Sequence, residues 1–299
     1  MMLKITAPEY ALMKKYIEEH CGIHLDRDKE YLIESRLSDL VRETGCRSFQ
    51  EFHFKARTDP TGKLRDGIVD AMTTNETSWF RDRSTWDYLR DVQVPALIDQ
   101  AIRTGAAHVW SAAASTGQEA FSLLMLLDEA VHDRGIPSVL DRIHIQATDI
   151  STSALITAMA ARYDAIAMNR GLPEDKRRKY FTQEEGGWVF DSRLKNRVEF
   201  KKFNLQNPFF FPHPFDLVLC RYVSIYFSDA FKRDLFAKMA GVLKPGGVLI
   251  LGATESLREY SQAFEITYHH ATVVNTLRTD AARVGGISGV GDFTGGGRP

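Results

Sequence analysis

Thr73-Thr74-Asn75-Glu76-Thr77-Ser78-Trp79-Phe80-Arg81-Asp82 sets a run of polar side chains ahead of two large aromatics and a cation. Hydroxyl and amide side chains favour turns and helix caps. On that account the run caps a helix, and Trp79 and Phe80 fill a core. The chemical account has Asn75 and Thr77 hydrogen-bonding a polar ligand while Arg81 meets a carboxylate, whose shape matches the arginine fork. A second stretch, Val109 to Ala120, is an apolar run that ends in small residues with one glycine, Gly117. The amphipathic segment Phe121–Val131 follows. This is strand, tight turn and helix, the opening unit of a nucleotide-type α/β fold. Small residues such as Ala113 and Gly117 let a ligand approach the backbone, and the helix start offers free N–H groups. An ordinary strand–turn–helix without a ligand has the same appearance.

The turn is not the dinucleotide fingerprint, which has three glycines. Its acidic partner, Asp149 in Ala147-Thr148-Asp149-Ile150, stands further along than the ~20 residues usual for that motif. An acid at the end of a second strand suits a ribose diol, so the ligand would be a nucleoside rather than a dinucleotide. Asp149 or Ser151 could equally cap the helix expected over 151–161. A third candidate strand, Phe215–Cys220, ends in Arg221 and Tyr222. Ligands of open α/β sheets sit at the carboxyl ends of strands, which places Arg221 and Tyr222 beside whatever the first turn binds. A structural ion pair is the other role open to Arg221. Lys244-Pro245-Gly246-Gly247, before the apolar run Val248–Leu251, does turn work rather than ligand work.

The elements that must position these residues fall into two textures. Residues 1–90 are helical: Ile33, Leu37, Leu40 and Val41 recur at helical spacing, Gly45 sits where a cap would be, and Phe49–Arg57 and Gly67–Met72 continue the pattern. From about 107, strand-like runs alternate with helical ones: His108–Ala113, Ile143–Thr148, Val198–Phe203, Phe215–Cys220 and Val248–Leu251. Such alternation predicts a mainly parallel sheet covered on both faces. The expected architecture is therefore α/β, with a small helical domain and linker over 1–90 and a doubly wound domain over 91–279. A small antiparallel excursion is expected at 181–203, and a disordered glycine-rich tail at 280–299.

Composition narrows the function. The formal charge of −1 over 299 residues argues against a surface that coats nucleic acid. The basic run Lys176-Arg177-Arg178-Lys179 is expected to be a solvated helix face. No apolar stretch reaches the ~20 residues that span a bilayer, and Met1–Tyr10 lacks an apolar signal core. Cys21, Cys46 and Cys220 have neither metal-site nor disulfide-framework spacing, so a reducing cytoplasm is the expected setting. There is no G-x-S-x-G elbow and no Walker loop. The nine histidines are scattered, His269 and His270 would point to opposite faces of a strand, and no metal site is expected.

Together the segments resemble the chemotaxis receptor methyltransferases, the CheR family. The resemblance rests on the Thr73–Asp82 run, Trp110–Glu119, Ala147–Ile150, Phe203-Asn204-Leu205, Cys220-Arg221 with Ile225-Tyr226-Phe227, and Leu243–Gly247, in family order across roughly residues 5–275. It implies a helical N-terminal domain, then a Rossmann-like class I methyltransferase domain that binds S-adenosylmethionine and carries a small β-subdomain. It further implies methyl transfer to glutamate side chains on the cytoplasmic helices of chemoreceptors. By that resemblance Asn75, Thr77 and Arg81 line the active end of the cofactor site. Glu119 and Asp149 match the acids at the methionine amine and the ribose. Asn204 and Leu205 flank the adenine, Arg221 and Tyr222 hold the strand-end position, and Arg81 and Tyr226 contact the substrate or the transferred methyl. Two positions depart from the pattern: Tyr222 stands where asparagine is usual, and Gln118 where an acid is common.

The chemistry fits the residues. A glutamate carboxylate, with an ordinary pKa of ~4.3, is a nucleophile at neutral pH without a general base. Positioning then carries the catalysis. Two other functions fit the same fold: methylation of a small molecule or nucleic acid, against which the near-neutral charge weighs, and a non-catalytic protein that holds S-adenosylmethionine or its demethylated product and acts through protein contacts, which Tyr222 favours. Gly186-Gly187 could leave an exposed strand edge for a receptor's C-terminal tether peptide; a plain hairpin turn fits the same glycines.

Overall fold

The computed structural model describes residues 3–26 and 28–279. The tail expected to be disordered, 280–299, lies outside the described residues.

Four helices come first: α1 (Ala7–Cys21), α2 (Glu30–Glu43), α3 (Phe49–Thr58) and α4 (Lys63–Met72). At the start of α1 the Glu9 carboxylate accepts hydrogen bonds from the Thr6 N–H (2.9 Å) and hydroxyl (2.7 Å). Gly22 ends the helix in the left-handed conformation. The buried apolar face of α2, Ile33, Leu37 and Val41, joins Met13, Ile17, Phe49, Phe52 and Ile68 in a core confined to residues 10–72.

The second unit starts earlier than the helical texture indicates. Trp79, Trp86 and Leu89 belong to the core of the sheet domain, not to the helical one. The two cores therefore part within 73–78, ahead of the boundary expected near residue 90. Helix α5 (Arg83–Tyr88) passes through a π-turn at Leu89–Gln93 into α6 (Val94–Thr104). Then follow β1 (Ala107–Ala112), α7 (Gln118–Asp133), β2 (Ile143–Asp149), α8 (Thr152–Ala160), β3 (Arg162–Tyr163), α9 (Ala165–Asn169) and α10 (Glu174–Tyr180). The chain continues with β4 (Phe181–Glu184), β5 (Gly187–Phe190), α11 (Ser192–Lys195), β6 (Val198–Lys202), β7 (Phe215–Cys220), α12 (Asp229–Val242), β8 (Leu243–Leu251), β9 (Phe264–His269) and β10 (Thr272–Leu277).

The main sheet has the order β6-β2-β1-β7-β8-β10-β9. The first five strands are parallel, and β10 and β9 are antiparallel additions. Such parallel strands are covered on both faces and read as continuous apolar runs; β1 and β7 are buried at every position but their second. The strand order reverses between β1 and β7, which opens a crevice beyond their carboxyl ends.

The small antiparallel sheet has the order β3-β5-β4. It differs from the excursion expected at 181–203. Val198–Lys202 is the edge strand of the main sheet, parallel to β2 with Ile145 opposite Val198, and Arg162–Tyr163 supplies the third small strand. A Cβ on Gly187, the first residue of β5, would stand 2.6 Å from the Tyr163 carbonyl oxygen. His270 lies in the turn after β9 with φ +52°, so His269 and His270 do not alternate across a strand. Each cation of the 176–179 run pairs with a carboxylate, Glu129 or Glu174. Among the described residues no helix is long and apolar enough to cross a membrane, and no cluster of His, Cys, Asp or Glu is arranged to hold a metal.

Trp79 is fully buried and anchors the 73–82 segment. Its backbone N–H donates to the Arg170 carbonyl (3.0 Å) and its indole N–H to the Ala167 carbonyl (3.1 Å). Gly171 passes directly over it with φ +87°, and a Cβ there would collide with the Trp79 carbonyl oxygen. Gly171→Ala should cost about 2 kcal/mol or more, from left-handed strain plus that collision. Thermal unfolding should show the midpoint roughly 4–8 °C lower; an unchanged midpoint would refute the anchoring of this segment through Trp79.

Candidate active site

A cleft with about 950 Å³ of empty space, counting its open mouth, lies beyond the carboxyl ends of the parallel strands. Four of the five strand ends contribute to it: Ala113 and Ala114 after β1, Asp149 from β2, Phe203 to Leu205 after β6, and Arg221 and Tyr222 after β7. The 73–81 segment closes one side. Cys21, the last residue of α1, and Ile23 close another.

Asn75, Thr77, Arg81, Ala113, Glu119, Asp149, Asn204, Leu205, Arg221, Tyr222 and Tyr226, singled out from the sequence, all line this cleft. Gly117 does not. Its φ of +94° makes the turn, but a Cβ there would stand 3.1 Å from both Ala158 Cβ and Phe200 Cζ. It permits α7 to pack on α8 and β6 rather than letting a ligand approach. Gln118 also turns away: it is buried, and its amide oxygen accepts the Thr116 hydroxyl (2.7 Å).

Several lining side chains are tied into the protein. Asp149, 6% exposed, accepts the Ser115 N–H on one oxygen (2.7 Å) and the Ser151 N–H on the other (2.9 Å). Ser151 itself caps α8 through the Ala154 N–H (3.1 Å). Burial pushes the Asp149 carboxyl above the usual carboxylate range, against the lowering pull of those N–H groups. Arg221 is an ion-pair hub and a cleft residue at once: Nη1 donates to Glu119 (3.0 Å), and Nη2 to the Asp82 carboxylate (2.7 Å) and the Arg81 carbonyl (2.6 Å). The second Glu119 oxygen accepts the Ser111 hydroxyl (2.7 Å). Asn204 spends its amide on the seam between domains, donating to the His20 carbonyl (2.8 Å) and accepting the Gln206 N–H (2.9 Å).

Two acids were missed in the sequence. Asp82 joins Arg221 to the Tyr222 hydroxyl. Glu255, 8% exposed, accepts the N–H groups of Tyr222 (2.6 Å), Val223 (3.1 Å), Ser224 (2.8 Å) and Gly252 (2.8 Å), plus the Ser224 hydroxyl (2.7 Å). It follows β8 as Arg221 follows β7, so the strand-end rule that selected Arg221 would have found it too. Of the eight non-glycine residues with positive φ among those described, Phe80, Asp82, Ala113, Ser115 and Tyr222 sit in or beside the cleft wall. Strained backbone of this kind concentrates at functional sites.

Two family models match the chain. Residues 8–73 match the CheR methyltransferase all-alpha domain, and residues 75–273 match the CheR methyltransferase SAM-binding domain. The chain belongs to the CheR methyltransferase family. It is 39% identical to the chemotaxis protein methyltransferase 1 of Pseudomonas aeruginosa, over 86% of this chain and 93% of that protein. It is 37% identical to the chemotaxis protein methyltransferase 1 of Vibrio cholerae, over 92% of this chain and 99% of that protein.

The cofactor of this CheR-family domain is S-adenosylmethionine, and the lining fits it. Ile23, Phe203, Leu205 and Phe227 give one end apolar walls for an adenine. Asp149 would hold a ribose diol, and Glu119, beside the small residues Ala113 and Ala114, would hold an amine. Tyr222, the departure from the family pattern, does not fill the space; it stands in the wall of an open cleft.

An ionised Asp149 accepts from two hydroxyls, whereas a protonated one must donate. Cofactor affinity should therefore fall as pH drops through its raised pKa. Fold stability from this group runs the other way: its folded pKa lies above the unfolded value, so its contribution is full below the unfolded value and lost as pH rises through the folded one. Asp149→Asn should weaken S-adenosylhomocysteine binding about 10- to 100-fold at neutral pH, as charge-assisted hydrogen bonds of ~1.5–3 kcal/mol imply, and flatten the acid dependence. Calorimetry across a pH series checks both; unchanged affinity would refute the ribose assignment.

Proposed function

We propose that this chain transfers the methyl group of S-adenosylmethionine to glutamate side chains on the cytoplasmic helices of chemoreceptors. The products are glutamate methyl esters and S-adenosylhomocysteine, and the process is adaptation in chemotaxis. The observation that carries the proposal is an unneutralised cation at the cleft. Among the described residues, the Arg81 guanidinium is ion-paired with no carboxylate; the one hydrogen bond it donates is a long one, to the Glu76 carbonyl (3.4 Å). Tyr226, also in the lining, has no hydrogen-bond partner for its hydroxyl among the described residues. A guanidinium and a phenol left free in this way suit an incoming carboxylate. The names of the relatives, chemotaxis protein methyltransferases, support the same setting.

The cofactor, when bound, supplies an electrophilic sulfonium methyl group. The chain's own task is then to receive and aim a carboxylate. A glutamate is ionised at neutral pH, ~3 units above its ordinary pKa, so no base is required, and among the described residues no histidine lines the cleft. The Cys21 thiol, pushed up to about 11 by burial, is no competing nucleophile. Arg81 orients the carboxylate, Tyr226 contacts it, and the aromatic walls exclude water. Holding reactants in line in a dry site is enough for a large acceleration. A receptor's C-terminal tether peptide would add at β4, the outer strand of the small sheet, whose Thr182, Gln183 and Glu184 are exposed. With its three cysteines free and buried, the protein would work in the cytoplasm, beside the receptors' cytoplasmic helices.

The test is transfer of labelled methyl from S-adenosylmethionine to chemoreceptor cytoplasmic fragments. The label should be released by alkali as methanol, and replacing the acceptor glutamates with alanine should abolish it. Alkali-stable label would refute ester formation. Arg81→Ala should lower kcat at least ~10-fold and leave the S-adenosylhomocysteine Kd within about threefold; equal losses would make Arg81 a wall of the pocket only.

A further inference from the structure

Tyr222 sits at φ +59°. For a bulky aromatic the left-handed region costs roughly 1–2 kcal/mol, a cost that glycine or asparagine largely avoids. The backbone there does not depend on the ring. Glu255 pins it by collecting the Tyr222, Val223 and Ser224 N–H groups. A strained side chain on an independently fixed backbone points to a task at the far end of that side chain.

At that end the ring meets three groups, one of them the Arg221 guanidinium, whose central carbon lies 5.6 Å from the ring centroid. Its face carries the Arg81 guanidinium, whose central carbon lies 3.5 Å from the ring centroid. Its hydroxyl bonds the Asp82 carboxylate, which Arg221 also holds (2.7 Å). The surroundings leave room for the ring: a Cβ on Gly252 would come within 3.0 Å of Tyr222 Cγ and Cδ1. The manner of holding matters chemically. A carboxylate partner would take two of arginine's N–H donors and neutralise its charge. An aromatic face attracts the cation through its quadrupole and leaves the in-plane donors free.

We propose that Tyr222 is a positioning residue, an aromatic shelf that presents the Arg81 guanidinium flat at the cleft with its donor edge open to the substrate carboxylate. This rests on the reading of the reaction as methyl transfer to a carboxylate. Asp82 and Arg221 fix the shelf from behind, and Glu255 fixes it from below. The shelf acts on the substrate through Arg81, not on the cofactor.

The experiment compares wild type with Tyr222→Asn, which tolerates the backbone and removes the ring, and Tyr222→Phe, which keeps the ring and loses the Asp82 bond. Tyr222→Asn should cut kcat/KM for a receptor fragment on the order of 10-fold, with the S-adenosylhomocysteine Kd within about threefold and a thermal midpoint no lower than wild type. Tyr222→Phe should restore most of the rate and lose only about two- to threefold. Unchanged kcat/KM in Tyr222→Asn, or a parallel loss of cofactor affinity, would overturn the proposal. A second readout needs no turnover: the Arg81 Nε–H resonance should be shifted upfield by the ring current, keep that shift in Tyr222→Phe and lose it in Tyr222→Asn. A resonance that is the same in wild type and Tyr222→Asn would overturn the shelf. If wild type methylates no receptor fragment, the substrate reading fails, and the resonance still decides the shelf.

Discussion

Three pieces of chain that are far apart in sequence must meet at the cleft, and the Arg221 guanidinium joins them. It is held at the end of β7, almost wholly out of solvent, with its side chain 3% exposed. One nitrogen reaches Glu119 in the first turn of α7; the other reaches Asp82 and the Arg81 carbonyl in the segment that follows the helical domain. Burying a guanidinium costs several kcal/mol, offset here by two carboxylates and a carbonyl. The arrangement is therefore all or nothing. Without the arginine, two acids would face each other across the cleft, a loss on the order of 3–5 kcal/mol for a broken buried pair. Such a pair adds little net stability and much geometric definition. It fixes where the Glu119 carboxylate stands and where Arg81 emerges from the wall.

Buried carboxylates do the same for the backbone. The β1–α7 turn passes through left-handed conformations at Ala113 and Ser115. It is held by the Ala114 N–H on the Thr148 carbonyl (2.8 Å) and the Ser115 N–H on Asp149 (2.7 Å). The 222–224 turn is held by Glu255 in the same way. In each case an acid at the end of one strand collects the N–H groups of the turn after its neighbour. Asp149 is thus a structural anchor as well as a candidate ribose ligand, and its lone pairs toward the cleft are aimed by the bonds it already makes.

Much of this was legible in the sequence, for physical reasons that can be named. Strands β1, β2, β7 and β8 stand out because buried parallel strands are continuous apolar runs between helical periods. The residues at their carboxyl ends could be picked out without knowing the strand order, since ligands of such sheets collect there. What was not legible depends on partners distant in the chain. Val198–Lys202 reads both as one of the alternating strands and as the end of the excursion; pairing with Ile145–Asp149 decides for the main sheet. Trp79, Trp86 and Leu89 have the spacing of the helices before them, but periodicity does not say which core a helix joins. Gly117 announces its backbone conformation and not what stands opposite it, which is Phe200 and Ala158 rather than a ligand. Asp82 and Glu255 pass unnoticed because an acid in a loop is ordinary until the N–H groups and cations around it are known.

The seam between the two domains lies within the site itself. Asn204 lines the cleft while its amide is fixed to the His20 carbonyl at the end of α1. Gln206, two residues on, donates to the Glu18 carbonyl (2.9 Å). The Tyr226 carbonyl accepts the His24 N–H (2.8 Å), and Ile23 pairs with Phe227 as an isolated bridge. Gly22 lets the chain pass this point, because a side chain there would strike the Phe231 ring. The helical domain is therefore a wall of the methyltransferase site and not an appendage. A ligand that fills the cleft contacts both domains and favours their joined form by mass action, with a stabilisation that grows with the logarithm of its concentration. The segment that carries Tyr226 is set by a backbone bond to the first domain, so the placement of Tyr226 at the cleft depends on that domain.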